Sequence, residues 1–200
     1  MNNCIIVSNG SFKERKICRD ESDFVIAADK GYLNALKVNL KVDLLIGDFD
    51  SLKELPKGIE TIKLNPIKDD TDTFDAIKIG IQKGYKNFIF YGALGKRIEH
   101  SYANISLLLY LKNLGFNGVI KDNKKTITVI KNETIELKKR SGYISIFPLG
   151  EKAEGVSLTN LKYELKDYTL RNDIPLGIDN EFINKTASIK VTNGALLLIY

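Results

Sequence analysis

The sequence predicts two folds in tandem: an α/β domain with a mainly parallel sheet over residues 1–122, then an antiparallel β-sandwich domain over residues 123–200. Three observations predict it. Short apolar runs alternate with helix-period segments in the first part, and that helical period disappears after Asp122. From there, polar turns separate a succession of strand-like runs. The chain has 200 residues, 44% hydrophobic and 28% charged, which suits one or two small globular domains. Disordered, collagen-like and low-complexity classes are excluded by the apolar content and by only 15 Gly and 4 Pro.

In the first part, residues 3–10 (NCIIVSNG), 23–31 (DFVIAADKG), 42–51 (VDLLIGDFDS) and 87–95 (NFIFYGALG) each read as a buried strand whose end carries Gly or Asp. Residues 31–39 are a short helix candidate. Residues 71–84 are a better one, because Phe74, Ile77 and Ile81 fall at i, i+3 and i+7 and Gly84 is a natural stop. Residues 97–115 predict the longest helix, with Ile98, Tyr102, Ile105 and Leu109 on one apolar stripe and Gly115 at its end.

In the second part the strand-like runs are 124–132, 133–139, 142–150, 154–165, 184–192 and 195–200. Asn193-Gly194 between the last two predicts a hairpin, since both residues tolerate positive φ. The polar run 121–125 (KDNKK) is the expected link between domains, and there is no internal repeat.

Composition narrows the function. No window reaches the ~18 continuous apolar residues of a membrane span. The N-terminus has no basic leader before its short apolar run, so no signal peptide and no membrane partner are expected. Cys4 and Cys18 match neither a disulfide framework nor paired metal-ligand spacing, and read as buried or idle thiols in a reducing cytoplasm. With one histidine, carboxylates are the only plentiful metal ligands, so any metal should be hard, Mg²⁺ or similar. The net charge of +5 is spread without a basic block, which argues against a nucleic-acid partner. It suits an anionic substrate that arrives with a divalent metal.

In a parallel α/β sheet, ligands bind beyond the carboxyl ends of the strands. Asp29 follows VIAA, and Asp48 and Asp50 follow LLIG. Residues two apart in a strand face one side, so Asp48 and Asp50 can present two carboxylates to a cation that also bridges phosphate oxygens. A solvated turn is the plainer alternative for this run. NPIKDDTD sets Asp69, Asp70 and Asp72 at a helix start. One such residue suffices for capping, and Lys68 adds a cation able to meet phosphate. Gly92 and Gly95 precede the next helix, where small residues let backbone N–H groups approach an anion, and Lys96 and Arg97 add charge. Arg97, His100 or Ser101, and Asn104 share one helical face opposite the apolar stripe. GALGKR is not a P-loop, there is no GxGxxG, and no nucleophile elbow is present. The conjunction at three successive strand ends reads as metal-assisted transfer from a nucleotide phosphate.

With ADKG at 28–31, GDFDS at 47–51, KDDTD at 68–72 and GALGKRIEHSYAN at 92–104, the chain resembles the thiamine pyrophosphokinase family. LKYEL at 161–165, LGIDNEF at 176–182 and the closing VTNGALLLIY extend the resemblance over nearly the whole length. The resemblance implies an α/β catalytic domain, a thiamine-binding β-sandwich that also dimerises, and a homodimer with intersubunit sites. It implies that ATP and thiamine give thiamine diphosphate and AMP with Mg²⁺. On that basis Asp48, Asp50 and Asp72 are expected to hold Mg²⁺ and do the catalytic work, with Asp29 and Glu99 as further or water-mediated ligands. Asp72 or Asp50 would activate the thiamine hydroxyl. Asp29, Lys68, Thr71, Lys96, Arg97, His100 and Asn104 would serve ATP, and Tyr163, Asp179 and Asn180 would serve thiamine. Two departures stand out: Glu99 where the family's third motif carries Asp, and Asp179 where its C-terminal motif carries Ser. The alternatives are a diphosphokinase for a pterin-type alcohol, for which LKYEL and LGIDNEF would be unnecessary, and a non-catalytic thiamine or nucleotide sensor.

Overall fold

A computed structural model describes residues 2–50, 56–65 and 70–200. The chain divides into two compact units, Met1–Lys124 and Lys125–Tyr200. The first runs β1 (Asn3–Val7), β2 (Phe24–Ala28), α1 (Gly31–Lys37), β3 (Leu44–Gly47), β4 (Glu60–Lys63), α2 (Asp72–Gln82), β5 (Asn87–Tyr91), α3 (Ile98–Asn113) and β6 (Asn117–Asp122). Its strands lie in the order β4-β3-β2-β1-β5-β6, and every pairing within the unit is parallel. β1, β2 and β3 are apolar and buried almost without interruption, as a parallel sheet covered on both faces requires. The chain extends the sheet in one direction from β1 to β4 and then returns to β1's other side with β5. That reversal opens a crevice at the carboxyl ends of β1 and β5.

The helices depart from the expected stripes. α2 starts where Thr71 caps it, the hydroxyl oxygen accepting the Phe74 N–H at 3.2 Å. Its buried face is Thr73, Ala76, Ile77 and Gly80, so Phe74 and Ile81 flank the contact. α3 buries Asn104, Leu108 and Leu111, while Ile98 is 85% exposed and Tyr102 74% exposed. Apolar residues occupy most sides of α3, so the weak period did not reveal which face packs. The strands β4 and β6 are also additional to those expected. β4 (ETIK) is mostly exposed and lacks an apolar run, and β6 (NGVIKD) buries only alternate residues.

The second unit is antiparallel throughout: β7 (Lys125–Lys131), β8 (Thr134–Leu137), β9 (Tyr143–Thr159), β10 (Leu165–Arg171), β11 (Asn180–Glu181), β12 (Ala187–Lys190) and β13 (Asn193–Ile199). β9 is one strand of 17 residues where the sequence predicts two runs. It pairs with β11 and β13 along its first part and with β10 and β12 along its second, so it contributes to both layers of the sandwich. Ile144, Ile146, Val156, Leu158, Ile189, Leu196 and Leu198 form the core between them. The expected Asn193-Gly194 hairpin is not formed. β12 and β13 each pair with β9 instead; the Asn132 N–H donates to Gly194 O at 3.2 Å and Asn132 Oδ1 accepts the Gly194 N–H at 2.8 Å. Among the described residues no helix is long and apolar enough to cross a membrane.

Candidate active site

The crevice in the first unit holds a cavity of about 500 Å³. Three strand ends and two helix starts build its wall. Ser8, Asn9 and Gly10 come from the segment after β1, Asp29 from the end of β2, and Asp70, Thr71, Asp72 and Thr73 from the start of α2. Gly92, Gly95, Lys96 and Arg97 follow β5, and His100 and Asn104 face in from α3. Of the expected nucleotide residues, Asp29, Thr71, Lys96, Arg97, His100 and Asn104 meet here, with Asp72 among them. Lys68 lies outside the described residues.

The loops after β1 and β5 touch closely. The Gly10 N–H donates to Gly92 O at 2.6 Å and the Ser11 N–H to Leu94 O at 2.6 Å. A Cβ on Gly10 would lie 2.3 Å from the Leu94 carbonyl oxygen, and one on Gly92 would lie 2.4 Å from that of Ser8. Only glycine allows this approach. Of the loop's backbone N–H groups, which the sequence offers to an anion, that of Gly95 donates to Ser101 Oγ at 3.0 Å and that of Arg97 to Gly95 O at 2.6 Å. The loop therefore presents its charge mainly through side chains. Lys96 Nζ donates to Asn9 O at 2.8 Å and Asn9 Oδ1 at 3.1 Å, which holds the ammonium at the rim. Buried Asn104 donates to Ala93 O at 2.7 Å and ties the loop to α3.

Positive φ values mark three of the strand ends: Asp29 at 46°, Phe49 at 62° and Lys96 at 55°. Such conformations persist where surrounding contacts over-determine them, and they cluster at functional sites. Phe49 is buried in the first unit's core, and that anchor sets the turn around it. β3 ends at Gly47, so Asp48 and Asp50 do not share a strand face as the period-two argument predicted. They lie in a turn in which the Asp50 N–H donates to Asp48 Oδ1 at 3.1 Å. Neither Asp48, Asp50 nor Glu99 is among the residues lining the cavity. Glu99 accepts from Arg97 Nε at 2.6 Å. Its own backbone N–H and then Arg97 hold its carboxyl below the usual range.

Lys78 Nζ bonds Asp70 at 2.8 Å and Asp75 at 2.5 Å, and these two carboxylates, Asp70 first, raise its pKa. Lys78 thereby offsets part of the negative charge at the start of α2. Among the described residues, no three His, Cys, Asp or Glu side chains form a group able to hold a metal ion. The wall's donors are nonetheless hard oxygens, and Mg²⁺ commonly takes one or two carboxylates together with substrate phosphates and water. The donor set fits a Mg²⁺ that enters with a nucleotide.

The residues expected to meet thiamine lie in the second unit. Asp179 is exposed at φ 52°, with its N–H donating to Ser145 Oγ at 3.1 Å. Tyr163 is 61% exposed, and Lys162 Nζ stands 5.7 Å from its ring centroid while bonding Glu181 at 2.8 Å. Asn180 is buried. Sequence reasoning passed over Ser8, Asn9 and Thr73 as parts of the wall. The signal for Ser8–Gly10 was present, since SNG ends the first strand just as ADKG ends the second.

A family model described as thiamin pyrophosphokinase, catalytic domain, matches residues 16–120. A second, described as thiamin pyrophosphokinase, vitamin B1 binding domain, matches residues 125–196. The chain is 27% identical to a thiamine pyrophosphokinase of Bacillus subtilis (strain 168) over 188 residues, 90% of this chain and 88% of that protein. It is 20% identical to thiamin pyrophosphokinase 1 of Caenorhabditis elegans, over 90% of this chain and 80% of the relative. Its fold is similar to the crystal structure of the Bacillus subtilis thiamine pyrophosphokinase, with a TM-score of 0.87 at 23% identity over 100% of this chain and 98% of that one. A thiamin pyrophosphokinase family protein from Enterococcus faecalis has a TM-score of 0.82 at 25% identity, over 98% and 97% of the two chains.

Proposed function

The chain belongs to the thiamin pyrophosphokinase family, and from that premise we propose that it is an ATP:thiamine diphosphotransferase. The observation that carries the reading is one cavity at the β1/β5 switch point. There Asp29 and Asp72 converge with Lys96, Arg97 and His100. This is the charge pattern a polyphosphate and its metal require. The match of residues 125–196 to a vitamin B1 binding domain favours thiamine over a pterin acceptor.

In the reaction the thiamine hydroxyl oxygen attacks the β-phosphorus of ATP. The bond from that phosphorus to the oxygen bridging the α-phosphorus breaks, and AMP leaves. Asp72 orients the hydroxyl and takes its proton, with Asp50 as the other carboxylate suited to that work. Lys96 and Arg97 meet charge on the phosphate oxygens, joined by Lys68. Thr71 keeps a hydroxyl proton to donate while its oxygen caps α2. Asn104 secures the loop that carries Lys96, and Asn9 holds the ammonium itself. Mg²⁺ would be held directly by Asp72 and Asp29 at the cavity wall, with Asp48 and Asp50, which do not line the cavity, reaching it through water, and would neutralise phosphate charge when bound. Glu99 would join through water once its pair with Arg97 opens.

We also propose a homodimer, in which Tyr163 and Asp179 of one chain face the phosphate site of the other, as the resemblance implies. Exposed Ile98 and Tyr102 on α3 and exposed Ile174 and Ile178 in the second unit support burial against a second copy. Two free cysteines suit a reducing, cytoplasmic setting.

The test is incubation with MgATP, with and without thiamine. AMP should form only when thiamine is present. Thiamine-independent AMP, or none at all, would overturn the reading.

A further inference from the structure

We propose that Asn180 serves thiamine through Tyr163, as a positioning residue whose amide fixes the backbone from which the ring projects rather than as a contact to the ligand. The inference rests on the reading of thiamine as the acceptor and deepens it.

Asn180 is 3% exposed, so little of it is open to a ligand. Its oxygen accepts the Tyr163 N–H at 3.0 Å and the Glu181 N–H at 2.8 Å. Its nitrogen donates to the Tyr163 carbonyl at 2.7 Å. One amide thus closes on both backbone groups of Tyr163 and fixes the peptide planes on either side of that Cα. Tyr163 needs this support. It lies outside any strand, and a residue that is 61% exposed has little packing to hold its side chain. Lys162 adds a second strap, its N–H donating to Glu181 O at 2.9 Å. An aromatic face offered to a cationic ring is useful only when its orientation is set before the ligand arrives.

Asn180→Asp is the discriminating variant. It keeps the acceptor for two N–H groups, loses the donor, and sets a carboxylate against the Tyr163 carbonyl oxygen. The thiamine and ATP KM values are measured for wild type, Asn180→Asp, Tyr163→Ala and the double variant. The thiamine KM should rise about three- to tenfold in Asn180→Asp, the worth of one neutral hydrogen bond, with the ATP KM unchanged. In the Tyr163→Ala background the same change should add nothing, because the ring it positions is gone. An equal rise with and without the ring would overturn the proposal, as would an unmoved thiamine KM in Asn180→Asp. If Asn180→Ala folds, faster hydrogen exchange at the Tyr163 amide supports the clamp, and unchanged exchange contradicts it. Wild-type protein that forms no thiamine-dependent AMP would overturn the acceptor assignment itself, a result distinct from additive variants of an active enzyme.

Discussion

The hydroxyls of Ser8 and Thr73 lie 3.0 Å apart, both buried and 65 residues apart in sequence. The bond ties the end of β1 to the first turn of α2, beside Asp72. Ser8 is fixed from two other sides: its N–H donates to Tyr91 O at 2.8 Å, and its carbonyl accepts from Asn34 Nδ2 at 2.9 Å. A polar pair at the wall thus sets where the start of α2 stands against the sheet.

Thr73→Val, which keeps the shape and removes the hydroxyl, should cost about 1–3 kcal/mol by leaving Ser8 Oγ without this buried partner. Adding Ser8→Ala should cost less than the sum of the single changes. Denaturant midpoints measure both, and full additivity would show that the pair does not couple.

Replacing Asp72 by Asn should lower turnover at least about 100-fold, or ~3 kcal/mol of transition-state stabilisation, with the thermal midpoint little changed. Asp48→Asn should act similarly through the metal. Near-full turnover in both variants would remove these carboxylates from the mechanism.

The edges of the fold were less legible than its centre. The apolar runs that became β1, β2, β3 and β5 stood out because both faces of a parallel sheet are covered. The Asp and Gly residues at their ends marked where chemistry could gather. β4 and β6 carry no such run, and β9 continues through Gly150, where a turn was the natural reading. Asp29, Asp72, Lys96 and Arg97 were legible as charges beside strand or helix ends. Ser8 and Asn9 were marked only as the end of the first strand, and their place in the wall comes from loops brought together by β1–β5 pairing, while Thr73 carried no mark. Asn104 was placed on a polar face and is instead buried, because its hydrogen bond to Ala93 compensates for leaving water.

The two cysteines should differ sharply in reactivity. Burial pushes the Cys4 thiol up to about 12, so it stays protonated and enclosed at pH 8, whereas Cys18 is exposed. Iodoacetamide should modify one cysteine in the native protein and both in denaturant, as intact-mass measurement will show. Rapid native modification of Cys4 would contradict its placement between β1's neighbours.

Asp179→Ala should raise the thiamine KM by about five- to thirty-fold, ~1–2 kcal/mol for one exposed contact to the thiazolium, and leave the ATP KM alone. A variant with a shifted ATP KM and unchanged thiamine binding would place Asp179 elsewhere.

Light scattering at micromolar concentration should give twice the 22.5 kDa mass of one chain. A monomer would remove the proposal that two copies share each site.

The central claim is transfer of the β- and γ-phosphoryl groups together from ATP to the hydroxyl of thiamine. ATP radiolabelled at the β-phosphorus tests it most directly, with products separated after incubation with thiamine and Mg²⁺. Label should appear in thiamine diphosphate, with unlabelled AMP in equal amount. Label retained in ADP, with thiamine monophosphate as the other product, would contradict it.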